Sequence, residues 1–199
     1  LWLSTKDNSA PIVTDKGAEC PADGYFPVNM PASQRVVIFG AGPIGILAAR
    51  WVKIFGAEPI LVDISPEKVE FAREKDFRVV NSREENVIEA VKKWNGGHLA
   101  DAVIEGTGVG AVLSSCIECV RAKGTIALLG NPAGETKIPQ KLHSMMLRKE
   151  VEVHGVWNSS RAPYPVNEWE FTVRMMDEGI LKTADLITDR LSLEELPQA

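Results

Sequence analysis

Gly40, Gly42 and Gly45 are the residues whose type and spacing most narrow the chemistry open to this chain. They stand in Arg-Val-Val-Ile-Phe-Gly-Ala-Gly-Pro-Ile-Gly-Ile, residues 35–46, behind an apolar run and ahead of a helical pattern. A backbone this bare, at a turn from strand to helix, suits a diphosphate. Gly40 permits the tight turn, Gly42 lets phosphates approach the main chain, and Gly45 lets the helix lie against the sheet. The N–H groups of the first helical turn and the positive end of the helix dipole then stabilise the charge. Pro43 costs little at the first helical position, where its missing N–H has no intrahelical partner, and Ile44 follows it in the same turn. The glycine spacing alone is a weak signal; its weight comes from the strand before it, the helix after it and an acid further on.

That acid is Asp63, 23 positions after Gly40 at the carboxyl end of a second apolar run. Its carboxylate can accept hydrogen bonds from the hydroxyls of an adenosine ribose. A 2′-phosphate in the same place would meet a like charge, a repulsion of about 4 kcal/mol at 4 Å and an effective dielectric near 20, before relaxation and screening. The predicted cofactor is therefore NAD rather than NADP, with Lys68 and Arg73 near enough to soften the discrimination. Thr107, Gly108 and Gly130 lie at the carboxyl ends of later strands, where ligands of open α/β sheets bind; they join the expected cofactor-binding set. Asn131 is explained as well by loop chemistry as by contact.

The remaining reactive side chains form neither a catalytic nor a metal-ligating constellation. Cys116 and Cys119 have the C-x-x-C spacing of zinc and redox sites, but they lie in an apolar stripe with Val109, Val112, Leu113, Ile117 and Val120. Without a second ligand pair they read as buried helical thiols. Cys20 makes the count odd, and His98, His143 and His154 are scattered. A net charge of −5 argues against nucleic acid and anionic membrane as main partners. No apolar run approaches the roughly 20 residues of a membrane span, and no basic-then-apolar leader opens the chain, so a cytoplasmic location is expected.

These residues need elements to position them. Residues 1–33 are rich in Pro, Gly, Asp and Ser and hold no lasting period, which predicts an irregular leader or tail. From Gln34 to residue 199 strands and helices alternate. Strands are expected at 36–39, 59–63, 78–80, 101–105, 124–130 and 151–155. Ile44, Leu47, Ala48, Trp51, Val52 and Phe55 give the first helix face, with Gly56 past its end. Ser65 caps a helix opening at Pro66, and Ser82 with Glu85 has capping-box spacing for the helix of Val87, Ile88, Val91 and Trp94. A last helix shows Trp169, Val173 and Met176 on its apolar face. No element is expected between Pro132 and Val151. This alternation predicts an α/β fold, a doubly wound and mostly parallel sheet of the Rossmann-like, NAD-binding kind.

The succession Gly-Ala-Gly-Pro-Ile-Gly, Val-Asp-Ile-Ser-Pro-Glu-Lys, Glu-Gly-Thr-Gly and Gly-Thr-Ile-Ala-Leu-Leu-Gly resembles the cofactor domain of medium-chain, zinc-type alcohol and polyol dehydrogenases. The segment His154-Gly155-Val156-Trp157-Asn158-Ser159-Ser160, with Pro163, Pro165, Glu168 and Trp169, looks most like the galactitol-1-phosphate 5-dehydrogenases of the sorbitol and threonine dehydrogenase branch. The resemblance implies that Asp63 and Lys68 hold the adenosine ribose and that the Gly40–Gly45 turn holds the pyrophosphate. It also implies a homodimer through an edge strand between Val151 and Gly155. The family's Gly-His-Glu signature and its run of four cysteines are absent, and the chain stops at Glu195-Leu196-Pro197-Gln198-Ala199. Zinc is accordingly expected only in a catalytic domain outside this sequence, and no turnover by this chain alone. Two other readings are a non-catalytic NAD-binding or oligomerisation module and a flavoprotein fragment. The second usually carries Glu after its second strand and breaks the regular alternation.

Overall fold

The structure is a computed structural model that describes residues 34–157 and 168–192. The expectations for residues 1–33 with Cys20, for Asn158, Ser159, Ser160, Pro163 and Pro165, and for Glu195 to Ala199 fall outside these. The strands are β1 (Arg35–Phe39), β2 (Glu58–Asp63), β3 (Arg78–Asn81), β4 (Ala100–Glu105), β5 (Val120–Leu128) and β6 (Glu152–Gly155). Every pairing is parallel, in the order β3-β2-β1-β4-β5-β6. The sheet thus runs outward in both directions from β1, as the alternation predicts.

The intervening helices are α1 (Pro43–Ile54), α2 (Pro66–Glu74), α3 (Val87–Trp94), α4 (Gly110–Cys119) and α5 (Gln140–Lys149). After β6 come α6 (Glu168–Asp177) and a short 3₁₀ turn, Ala184–Leu186. Two apolar layers sandwich the sheet because neighbouring residues of a strand point to opposite faces. Val36, Ile38, Leu61, Ala102 and Ile104 pack against α1, α2 and the α6 region. Val37, Phe39, Ile60, Val103 and Ile126 pack against α3, α4 and α5. Ile38, Ile60, Leu61, Ile104 and Ile126 are fully buried, each worth roughly 1.5–3 kcal/mol over exposure. Central strands covered on both faces explain the unbroken apolar runs.

Several expectations need correction. α3 is capped by Asn86, whose Oδ1 accepts from Glu89 N at 3.2 Å; the Ser82 hydroxyl instead donates to the Asp63 carbonyl. α4 stops at Cys119 and Val120 already belongs to β5. The Lys149 ammonium makes this abrupt end possible by donating to the carbonyls of Ile117 (2.9 Å), Glu118 (3.1 Å) and Val120 (2.6 Å). Its three N–H groups thus satisfy three carbonyls left bare at a helix end. α5 was not expected at all. On α6 the face is reversed: Trp169, Val173 and Met176 are exposed, whereas Glu168 and Met175 are buried. Phe171 stacks on Trp51 of α1, with ring centroids 5.8 Å apart.

The segment after α6 is pinned by charge. The Asp185 carboxylate takes both terminal nitrogens of Arg50, at 2.9 and 2.7 Å, and Lys75 Nζ at 3.0 Å. Arg50 also donates to the Lys182 carbonyl. The hydrogen bonds from Arg50 hold the Asp185 carboxyl well below the usual carboxylate range, outweighing the opposing effect of burial, and Lys75 adds a lesser push in the same direction. A carboxyl depressed on folding stabilises above its unfolded pKa, about 3.9, and loses that contribution as pH falls further. Asp185→Asn is therefore expected to lower Tm at pH 7, with the deficit shrinking between about pH 4 and pH 2. Thermal melts across that range check it; a deficit as large at pH 3 as at pH 7 would show that the ion cluster is not its source.

Candidate functional site

The parallel ladders fix where the site lies. Phe39 pairs with Val62 on one side and with Glu105 on the other, so Gly40, Asp63 and Gly106 leave the sheet at one level. Gly40 N donates to Val62 O (2.8 Å) and Gly106 N to Phe39 O (3.0 Å), carrying the ladder into both turns. Gly40, Gly42, Pro43, Ile44, Gly45 and Asp63 are thereby brought together.

The three glycines are required for different reasons. Gly40 has φ +102°, a conformation closed to most side chains. A Cβ on Gly45 would lie 1.8 Å from the Gly40 carbonyl oxygen, so helix and strand could not meet. Gly42 is unlike both. Its φ of −73° suits any residue, and a Cβ there would meet nothing within 4 Å. Neither backbone strain nor packing calls for glycine at this position, and its main chain lies open to an approaching group. Gly42 also caps α1 without a side-chain hydrogen bond, and the first intrahelical bond is Ile46 N to Gly42 O (2.9 Å). The amides of Ile44 and Gly45 precede that bond and so point out of the helix end. Pro43 and Ile44 are exposed beside them.

Asp63 adjoins this turn and is already engaged. Its Oδ2 accepts from Ala41 N at 2.8 Å, and its Oδ1 from Ile64 N and Ser65 N at 2.7 and 2.9 Å. Ser65 caps α2 by accepting from Lys68 N, as its place before Pro66 predicts. Lys68 is exposed in the first turn of α2.

A second cluster surrounds Glu105, which sequence reasoning passed over as a strand end. Its buried carboxylate accepts from Thr107 N (2.8 Å), Thr107 Oγ1 (2.6 Å) and Gly108 N (3.0 Å). Thr107 Oγ1 in turn accepts from Val109 N. An acid at a strand end followed by Gly-Thr-Gly was the available signal. Gly108 and Gly130 are glycine for internal reasons: added Cβ atoms would sit 1.9 Å from Asn131 O and 2.1 Å from Gly108 N. The clusters touch, since the Thr107 methyl lies 3.4 Å from where a Gly40 Cβ would be. Thr107 and Gly108 therefore form a wall next to the glycine turn, and Gly130 backs that wall.

Cys116 and Cys119 are buried on α4. Burial is the main cause that pushes Cys119 up to about 12 and raises Cys116 well above a normal thiol, with nearby Glu105 adding to the latter. Both are therefore neutral thiols at pH 7 and poor nucleophiles. Among the described residues no group of three His, Cys, Asp or Glu could hold a metal ion, so they do not fit a zinc site. No helix among them is long and apolar enough to cross a membrane.

An open parallel sheet wound both ways from β1, with a glycine turn and an acid at adjacent strand ends, is the architecture of a dehydrogenase cofactor domain. The chain belongs to the zinc-binding dehydrogenase family, whose pattern matches residues 43–178. It is 30% identical to sorbitol dehydrogenase of Bacillus subtilis over 88% of this chain and 44% of that protein. It is 29% identical to galactitol-1-phosphate dehydrogenase of Escherichia coli, whose crystal structure superposes with TM-score 0.75 over 84% of this chain and 49% of that one. A protein of Sinorhizobium meliloti 1021, crystallised bound to NADP, shares the fold with TM-score 0.69 at 24% identity, over 84% of this chain and 48% of that one. The chain spans about half the length of the curated relatives it matches. The resemblance to zinc-type polyol dehydrogenases is borne out.

The glycines separate experimentally. Gly45→Ala is expected to cost roughly 3 kcal/mol or more of stability, because backbone must move. Gly42→Ala is expected to change stability by less than about 1 kcal/mol, yet to weaken dinucleotide binding at least about tenfold. Melting curves and titration calorimetry on both variants test this; unimpaired binding by Gly42→Ala would show that nothing approaches that atom.

Proposed function

We propose that this chain binds NAD(H) as the cofactor domain of a zinc-dependent polyol or polyol-phosphate dehydrogenase. One observation carries the proposal: Gly42 is bare where neither φ nor packing demands it, at a start of α1 that no side chain caps. Bound NAD would supply a hydride acceptor for the alcohol carbon. The chain's own residues bind and orient. The Ile44 and Gly45 amides meet the diphosphate, with the α1 dipole behind them. Asp63 has acceptor capacity left for one ribose hydroxyl, and Lys68 reaches the same ribose from α2. The wall of Thr107 and Gly108, backed by Gly130, bounds the cleft on the β4 side. Zinc ligands belong to residues other than the described ones. The neighbour that holds NADP is alike in fold only, and the Asp63 charge favours the cofactor without a 2′-phosphate.

The substrate class rests on the sorbitol and galactitol phosphate relatives. A cytoplasmic setting accords with Cys116 and Cys119 as free thiols. A homodimer accords with β6 at one edge of the sheet, where Val153 and Trp157 are exposed. An open edge strand presents unpaired N–H and C=O groups to a second copy.

Calorimetric titration is expected to show NADH binding at least about tenfold tighter than NADPH, without oxidation of polyol phosphates by this chain even with zinc added. Equal affinities would remove the role given to Asp63, and zinc-dependent turnover would show that the chain carries a complete active site. For the dimer, light scattering should give twice the monomer mass, and Val153→Lys should reduce it to the monomer. A monomeric wild type would refute edge pairing.

A further inference from the structure

Asp63 does more within the protein than wait for a sugar. Of the roughly four acceptor positions of its carboxylate, three are taken by main-chain amides from two turns, Ala41 on one side and Ile64 with Ser65 on the other. Ala41 sits between Gly40 and Gly42, is only 1% exposed, and gives its N–H to this carboxylate. A buried amide stripped of its acceptor is costly, and the residue next to it, Gly40, is a glycine with the backbone freedom to rearrange. The shape of the turn is therefore set from β2.

We propose that Asp63 is a positioning residue: its bond to the Ala41 amide holds the glycine turn in the form that receives the diphosphate. The proposal deepens the dinucleotide reading and rests on it. It makes an unusual demand. Deleting a negative charge beside an anion site strengthens anion binding by electrostatics alone. If Asp63 shapes the turn, deleting its charge weakens that binding instead.

Asp63→Asn isolates the bond. The amide oxygen can still serve Ile64 and Ser65, but the NH₂ group then faces the Ala41 N–H, donor against donor. Two measurements on the whole chain decide. In the cofactor-free protein, the Ala41 amide should exchange with solvent slowly, and at least about tenfold faster in Asp63→Asn, while Ile64 and Ser65 hold their rates. Inorganic pyrophosphate, which has no ribose, should bind about tenfold more weakly to the variant at a temperature well below its Tm. A general loss of stability would not move that second reading. Unchanged Ala41 exchange, or pyrophosphate binding that is undetectable in the wild type or equal or tighter in the variant, overturns the proposal. If the variant does not fold, the wild type alone still tests it: an Ala41 amide exchanging like an unbonded turn residue overturns it. Failure of the wild type to bind NADH would strike the cofactor reading and leave the exchange result standing.

Discussion

Everything at the candidate site depends on the register of three parallel strands. With Phe39 opposite both Val62 and Glu105, the chain leaves β1, β2 and β4 at one height. A slip of one residue would move each strand's side chains into the opposite apolar layer, against helix faces packed for the other set. The apolar side chains that make the fold thus also determine which atoms meet at its rim. The glycine turn, Asp63 and the Gly106–Gly108 loop are neighbours because Val36, Ile38, Ile60 and Ile104 are buried.

Within that rim, glycine plays two roles. At positions 40, 45, 108 and 130 it is demanded by the protein itself, through positive φ or through backbone closer than a Cβ allows. At position 42 no internal demand exists. A motif of three glycines is therefore two statements about folding and one that folding does not require, and only coordinates separate them.

The parallel sheet and its strand order were legible because continuous Val and Ile runs alternate with helical periods. The Ser65–Pro66 start of α2 and the turn at Gly56 were legible because their chemistry is local. α5 was not: it buries Leu142 alone, and Pro139 precedes it without a side-chain cap, so neither periodicity nor capping announces it. The α6 face was misread because the helix has apolar residues on two sides; Phe171 and Met175 reach the core while Trp169, Val173 and Met176 do not. Which side docks is decided by Trp51 across the interface, a fact without local trace. The residues gathered at this rim were legible as types. Their internal bonds were not, because the partners of Asp63 and Glu105 are amides, which every residue carries.

Those bonds explain how two carboxylates can stand at the mouth of a site read as anionic. Among the described residues, Asp63 and Glu105 face neutral donors, three each, and no cation. An unpaired charge at such depth would be costly, but a carboxylate with that many hydrogen bonds is stable without a counter-ion. Each then acts as a template, turning amides of adjacent loops toward itself and fixing the path of the main chain around them. The residual negative field opposes a phosphate ligand, and the α1 dipole with Lys68 and Arg73 opposes that field. Affinity at such a rim is a difference between ordered amides that attract and the carboxylates that order them. It is consequently sensitive to geometry, because small displacements of the Gly40–Gly42 segment weaken the attraction and leave the repulsion in place.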